Sequence, residues 1–290
     1  MHIYTIFLYF SSLAKLCPKK SVLGATGRKI WIFSQIFLVV EPKTDFCYTG
    51  LAKQNNRPVL NLNFPYRFNS KERKMLEKMG EFFNARLDGY EEHQMNTIES
   101  AREFYPFTAA CLPRNDGARV LDLGCGTGLE LEEFFRLNPG AFVTGIDLAK
   151  GMLDFLRAKF VDKKLELVHG SYFDLPFGEN LFDAALSVES LHHFTKEEKI
   201  PLYAKLRNAL KSGGYFILTD YFALSDEDEA FFRGELIRLR KEQNLSDGEF
   251  YHYDTPLTVA HEREALLEAG FSSVEELKSW GVTHTLRAFR

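Results

Sequence analysis

The sequence predicts an α/β protein built on a mostly parallel sheet. From Arg119 onward, short apolar runs of strand length alternate with segments of helical period. The passages between them carry Gly-rich or polar turns, above all Gly124-Cys125-Gly126-Thr127-Gly128 and Lys211-Ser212-Gly213-Gly214. The connections are short and should be right-handed crossovers.

The first strand of this pattern is Val120 to Leu123, and a helix over Leu129 to Leu137 opens straight after its glycines. Ala141 to Ile146 and Ala149 to Ala158 form the next strand and helix. Leu165 to Val168 is a third strand and Phe182 to Val188 a fourth, followed by a helix from Lys196 to Leu210. A fifth strand, Tyr215 to Thr219, follows the Lys211–Gly214 turn. A charged helix over Asp226 to Gln243, a polar loop over Asn244 to Thr255 and a helix near Thr258 to Ala269, stopped by Gly270, come next. Two strands near Val274 to Trp280 and Val282 to Arg287 close the chain. Ahead of the pattern, Met75 to Tyr90 reads as one amphipathic helix through Leu76, Met79, Phe82 or Phe83 and Leu87. The simplest organisation is one domain over 75–290.

Of 290 residues, 45% are hydrophobic and 26% charged, as in ordinary soluble domains. Phe occurs 27 times, so an aromatic-rich core is expected. Residues 1–74 hold 12 Lys or Arg against 3 acids, and the remainder 24 against 37. An acidic body repels phosphate backbones, which argues against a nucleic-acid substrate. Cys17, Cys47, Cys111 and Cys125 form no C-x-x-C pair, a pattern that fits reduced thiols in a cytosol.

The first 74 residues read as an irregular extension. The apolar runs Ile3 to Ala14 and Ile30 to Val40 are each too short to span a bilayer, and no basic residue precedes the first as a signal peptide would require. Lys71-Glu72-Arg73-Lys74 back-translates to a purine run of the ribosome-binding type just ahead of a Met codon. The native start is expected at Met75 or Met79, with 1–74 being upstream sequence read in frame; the alternative is a charged linker behind a genuine membrane-affine extension. No membrane association is expected of 75–290.

The chemistry concentrates in Val120-Leu-Asp-Leu-Gly-Cys-Gly-Thr-Gly128. Glycines between a strand and a helix let the chain turn tightly and let a ligand approach the backbone, and the helix start adds unpaired N–H groups. The spacing is G-x-G-x-G, one residue shorter than a dinucleotide fingerprint, with an acid two residues before the first glycine. Asp147, at the end of the next strand, is placed to accept hydrogen bonds from both hydroxyls of a ribose.

These two stretches, D-L-G-C-G-T-G and G-I-D-L, resemble the class I S-adenosylmethionine-dependent methyltransferase family. Gly170 to Phe177, Phe182 to Phe194 and Leu206 to Asp220 are similar to further motifs of that family, in order, over roughly residues 80–290. The resemblance implies a three-layer αβα Rossmann-like fold with a mostly parallel seven-stranded sheet and an antiparallel last strand. It implies S-adenosylmethionine as cofactor, with Gly124, Cys125, Gly126 and Gly128 along its methionine part and Asp122 near its ammonium. Asp147 would hold the ribose, Leu148 and Met152 the adenine, and Ser187 would face the methionine end. Relatives often have Asp after the Gly170 position. Here Ser171 stands there with Tyr172 next, so that contact passes to a hydroxyl or the backbone. Tyr90 resembles the Tyr of a lid helix that covers the cofactor. Tight turns alone also account for glycines, and helix packing alone for Met152.

A sulfonium is already a strong methyl donor, so the protein mainly aligns the acceptor and excludes water. His193 is the candidate general base, with loop structuring as its bland alternative. Glu189, in the same loop, could hold an amine or a water, and the aromatic loop Glu249 to Asp254 is expected to cap the acceptor, with packing of surface aromatics on the sheet as the alternative. No H-x-x-x-H pairing supports a metal, and none is expected. The leading reading is methyl transfer to O, N or S of a small-molecule acceptor. The alternatives are a tRNA-modification-related methyltransferase or carboxy-S-adenosylmethionine synthase-like enzyme, and a non-catalytic cofactor-binding regulatory protein.

Overall fold

A computed structural model describes residues 75–246 and 248–290, together with the backbone of five short strands before them. The chain divides into two units, Met1–Glu72 and Arg73–Arg290. In the first, β1 (Lys20–Leu23), β2 (Lys29–Phe33) and β3 (Ile36–Val40) pair antiparallel, as do β4 (Ala52–Gln54) and β5 (Arg57–Val59). The rest of 1–74 lies outside the described residues, and with it the expectation of an irregular, extraneous extension.

The second unit is a seven-stranded sheet. Its strands are β6 (Arg119–Leu123), β7 (Phe142–Asp147), β8 (Lys164–His169), β9 (Phe182–Val188), β10 (Leu210–Tyr221), β11 (Ser273–Trp280) and β12 (Thr283–Phe289). The order is β11-β12-β10-β9-β6-β7-β8. The five strands from β10 to β8 run parallel, and β12 is antiparallel to both its neighbours. The antiparallel last strand implied by the resemblance is thus present.

Both faces of the sheet are covered, which is why its central strands are apolar without alternation. Val120, Val143, Ala184 and Leu186 pack on Phe104, Leu131, Phe134 and Leu156, which come from α3 (Ala101–Ala110), α4 (Leu129–Leu137) and α5 (Lys150–Lys159). Leu121, Leu123, Ala185 and Leu218 pack on Tyr203, Leu206 and Leu266 from α6 (Lys196–Ala209) and α8 (Val259–Glu268). The long α7 (Asp226–Glu242) buries only Leu239.

The structure corrects two expectations and adds one element. Met75 to Tyr90 is not one helix. Residues Leu76 to Lys78 are tied down in other ways: Leu76 N–H donates to Gln243 and Lys78 bridges Tyr251. Helix α1 (Met79–Ala85) follows, and Gly89, at φ 79°, breaks the path before α2 (Tyr90–Thr97). Helix α3 fills a stretch to which the sequence pattern assigned no element, and it carries Pro106 inside it. Its buried Phe104, Tyr105, Thr108 and Ala109 nevertheless follow helical spacing. Finally, Lys211–Gly214 is an irregularity inside β10, where the pairing with β9 shifts between Leu210 and Tyr215.

Candidate active site

The sheet's first two parallel strands end at one cleft. Beyond Leu123 the chain turns through Gly124, Gly126 and Gly128 at φ 74°, 47° and 72°. A Cβ on Gly124 would stand 2.1 Å from Ser190 Oγ, so this position requires glycine both for φ and for space. The N–H groups of Gly124 and Cys125 both donate to the Ile146 carbonyl, at 2.8 and 3.2 Å, which pins the turn to β7. Cys125 is buried beneath it.

Asp147 follows directly. Its Oδ2 accepts from Gly126 N–H at 2.9 Å and its Oδ1 from Ala149 N–H at 2.7 Å. Burial raises its pKa and these two donors oppose the rise. A carboxylate has about four lone-pair sites, so about two remain for a ligand's hydroxyls.

Deeper in the cleft, Asp122 and Glu130 are a pair of neighbouring buried carboxyl groups. Burial drives both upward. Asp122 rises well above the carboxylate range, pushed further by Glu130, and Glu130 reaches about 7. Asp122 Oδ2, Thr127 Oγ1 and Glu130 Oε1 are buried without a partner. Orphaned polar atoms at this depth are costly, and a cationic amine with several donors answers both the charge and the hydrogen bonds.

Toward the cleft's other end, Met152 is fully buried in α5, and Leu148 lies between β7 and α1. Ser171 Oγ accepts from Phe173 N–H at 3.1 Å and its carbonyl from Leu175 N–H at 3.0 Å, so this residue shapes the turn. A cavity of about 440 Å³ is lined here by Met79, Gly80, Leu148, Ser171 and Phe250. The Tyr172 ring stands against the glycine turn, 3.7 Å from where a Gly124 Cβ would lie, with its hydroxyl 3.1 Å from Ser190 Oγ.

Helices α1 and α2 close over this end. Asn84 Oδ1 accepts from Gly151 N–H at 2.8 Å, and Lys159 links Glu91 of α2 to Glu132 of α4. Tyr90 begins α2, edge-on to Phe83. Burial, with the charges of Asp147, Glu130 and Glu189 nearby, holds the Tyr90 phenol protonated.

The loop after β9 carries the other half of the cleft. Glu189 has φ 50°, and its Oε1 is buried without a partner. Burial and then Asp220 push its carboxyl to about 8. Leu191–His193 form a single 3-10 turn. Asp220 holds this turn through the N–H groups of Leu191 and His192 at 2.8 and 3.0 Å, and through His192 Nδ1 at 2.5 Å. Burial disfavours a charged His192, but Asp220, Asp254 and Glu189 outweigh it and raise its pKa to about 9. Burial and then the neighbouring His192 lower that of His193. His193 Nδ1 lies 3.1 Å from Asp254 Oδ1. Thr255 N–H donates to the His192 carbonyl, Met79 N–H to that of Phe250 and His252 N–H to that of Glu77. The loop 249–255 is thereby laced to both the histidine turn and the start of α1. A second cavity, of about 190 Å³, opens beside His193, with Phe194, Phe250, Leu236 and Ile237 as its apolar walls.

The comparisons with known proteins agree with this geometry. The sequence model of the family described as a methyltransferase domain matches residues 121–218. This domain belongs to the class I S-adenosylmethionine-dependent methyltransferase family. The methyltransferase domain is similar to a fatty-acid O-methyltransferase of Mycolicibacterium smegmatis, 37% identical over 36% of this chain and 38% of that protein. It is also similar to a cycloartenol-C-24-methyltransferase of Arabidopsis thaliana, 31% identical over 61% of this chain and 52% of the relative. The chain thus spans about half or less of the length of these two relatives. In fold it resembles the crystal structure of a putative O-methyltransferase from Nostoc punctiforme, with TM-score 0.56 at 21% identity over 75% of this chain and 63% of the other.

Within the methyltransferase domain, Asp122, Gly124, Cys125, Gly126, Gly128 and Asp147 come together as one cradle. Leu148 and Ser171 line the cavity beside it, and Tyr90 stands over it. Ser187 corrects the expectation placed on it. It is fully buried, and its hydroxyl donates to the Leu123 carbonyl at 2.9 Å, tying β9 to β6 instead of facing the methionine end. The residue reaching Gly124 is Ser190. Sequence reasoning also missed Glu130 and Thr127, and it gave no role to Asp220. Glu130 follows Gly128 by two positions, and a buried acid in the first turn of an otherwise apolar-faced helix is the signal that marks it. Neither an H-x-x-x-H pairing nor a carboxylate cluster marks a metal in the sequence; the structure brings His192, His193 and Asp254 together through a turn and a distant loop.

Proposed function

We propose that this chain transfers a methyl group from S-adenosylmethionine to O, N or S of a small-molecule acceptor. The observation that carries the reading is Asp147, whose carboxylate is fixed by Gly126 and Ala149 N–H groups with lone pairs left to hold a ribose. Bound in this cradle, the cofactor supplies a methyl group already activated on a sulfonium.

The protein's own work is then placement. The orphaned oxygens of Asp122 and Glu130 hold the ammonium, and Leu148, Met152 and Ser171 flank the adenine. Tyr90 and α1 close the cleft against water. The acceptor enters the cavity beside His193, whose apolar walls suit a small or amphiphilic molecule. With Nδ1 directed at Asp254, Nε2 of a neutral His193 is free to take the acceptor's proton. Glu189 lies between the cofactor's reactive end and the histidines.

A carboxylate-bearing cofactor fits less well: Asp122, Glu130, Tyr90, Glu189 and Ser190 around the reactive end offer no Lys or Arg to hold a second carboxylate. The free thiols Cys111 and Cys125 go with a reducing cytosol. No helix among the described residues is long and apolar enough to cross a membrane.

The test is release of S-adenosylhomocysteine by the full chain against a panel of fatty acids, sterols, phenols, small amines and thiols, with tRNA alongside. Turnover with a small molecule and none with tRNA is the expected result. Turnover with tRNA alone, or none with any acceptor by a chain that binds cofactor, overturns the acceptor class or the enzymatic reading respectively.

A further inference from the structure

We propose that His192, His193 and Asp254 form a binding site for one divalent first-row transition-metal cation, with zinc as its reference ion. Asp254 Oδ1 lies 3.1 Å from His193 Nδ1 and 3.7 Å from His192 Nε2. One donor atom from each of the three residues lies within 4.8 Å of the others. Around a tetrahedral zinc with bonds of about 2.0–2.1 Å, neighbouring donors stand about 3.3 Å apart. The two observed separations straddle that value, so small shifts bring the donors onto a common centre.

The surroundings fit a metal site beyond the donors themselves. His192 uses its other nitrogen, Nδ1, to meet Asp220 Oδ1 at 2.5 Å, and Asp220 is itself fixed by the N–H groups of Leu191, His192 and Tyr221. A buried carboxylate that locks the far nitrogen of an imidazole fixes its tautomer and orientation for metal binding. Glu189 forms a second group of this kind with His192 and Asp220, and its Oε1 is buried with no partner, so the side of His192 facing Asp220 is rich in carboxylate while the fourth position on the cation is left to water. Glu189 holds φ 50°, a strained backbone that tertiary structure must enforce and that often marks a functional position. Entry is open on one side, where Asp254 keeps 42% of its side-chain surface exposed. Two imidazoles and carboxylates favour zinc, iron or manganese over the oxygen-only preferences of magnesium and calcium.

A cation here would hold the acceptor's reacting atom and lower its pKa, with His193 as a ligand instead of the base. That role rests on the function proposed above, whereas binding itself does not.

The full chain, stripped with a chelator and dialysed, is titrated with Co2+ for the visible bands of a tetrahedral site, and with Zn2+ in competition with a chromophoric chelator. S-adenosylhomocysteine binding is measured on the same samples. One cation per chain is expected. Asp254→Asn and His193→Gln should each weaken it about 10–100-fold, while His284→Gln, away from the cluster on β12, leaves it unchanged. Tetrahedral cobalt bands in a chain that fails to bind S-adenosylhomocysteine would still support the metal site while removing the methyl-transfer reading. No saturable binding below millimolar metal by a chain that binds S-adenosylhomocysteine overturns the site. So does binding of equal strength in both variants.

Discussion

The two halves of the cleft are made by different means. The cofactor half comes from one contiguous stretch, Leu121 to Ala149. Its working parts are backbone N–H groups, three glycines at positive φ and carboxylates held close by. The acceptor half is gathered from Glu189–His193, Asp220–Tyr221 and Glu249–Thr255, and its working parts are side chains, while Met79–Tyr90 closes over the cofactor end. Backbone geometry fixes where a cofactor sits. Side chains from distant segments set what is done beside it, and those can change without disturbing the turn.

The sharpest way to break this contrast is Gly124→Val. Its Cβ would meet Ser190 Oγ at 2.1 Å and Ser190 Cβ at 2.7 Å, on a backbone at φ 74°. Overpacking and left-handed strain together cost about 2–5 kcal/mol. A large drop in melting temperature and loss of cofactor binding are expected, read by thermal melt and calorimetry.

On the acceptor side, His193→Gln should lower kcat about 100-fold or more, the range for losing a group that handles the acceptor's proton. Cofactor affinity and melting temperature should stay near the parent values. A drop in cofactor affinity as large as the drop in kcat would erase the distinction between the halves.

A pH titration sharpens it further. Burial raises Glu130 from 4.5 to about 7, so the folded, cofactor-free chain holds a proton there that the unfolded chain releases above 4.5. This group's contribution to stability is therefore present at low pH and lost as pH rises through about 7. A cationic ligand favours the ionised pair, so S-adenosylhomocysteine should bind more tightly as pH rises across the same window. Glu130→Gln should flatten both trends, measured by melts and calorimetry from pH 5.5 to about 8.5.

The smallest effect belongs to the lid. Asn84→Ala removes the hydrogen bond to Gly151 N–H and should weaken cofactor binding about fivefold, from a bond worth about 1 kcal/mol.

The same contrast explains what the sequence made legible. The strand and helix alternation after Arg119, the glycine turn and Asp147 each lie within one short stretch, where local spacing determines local geometry. Helix α3 lies before the strand and helix alternation begins, and the break at Gly89 was hidden by an apolar pattern that runs through it. Ser187 looked right because it ends the proper strand, yet its hydroxyl is consumed by Leu123. No local rule links His192 to Asp254, 62 positions later in the chain. They meet only because β10 supplies Asp220 beneath the turn and Thr255 fastens the loop to the His192 carbonyl.

The most direct measurement is isothermal titration of the full chain with S-adenosylhomocysteine, wild type beside Asp147→Ala. Losing two charge-assisted hydrogen bonds, each worth about 1.5–3 kcal/mol, predicts micromolar binding in the wild type and at least about 100-fold weaker binding in the variant. Equal binding by both, or none by a folded wild-type chain, would contradict the assignment of this cleft.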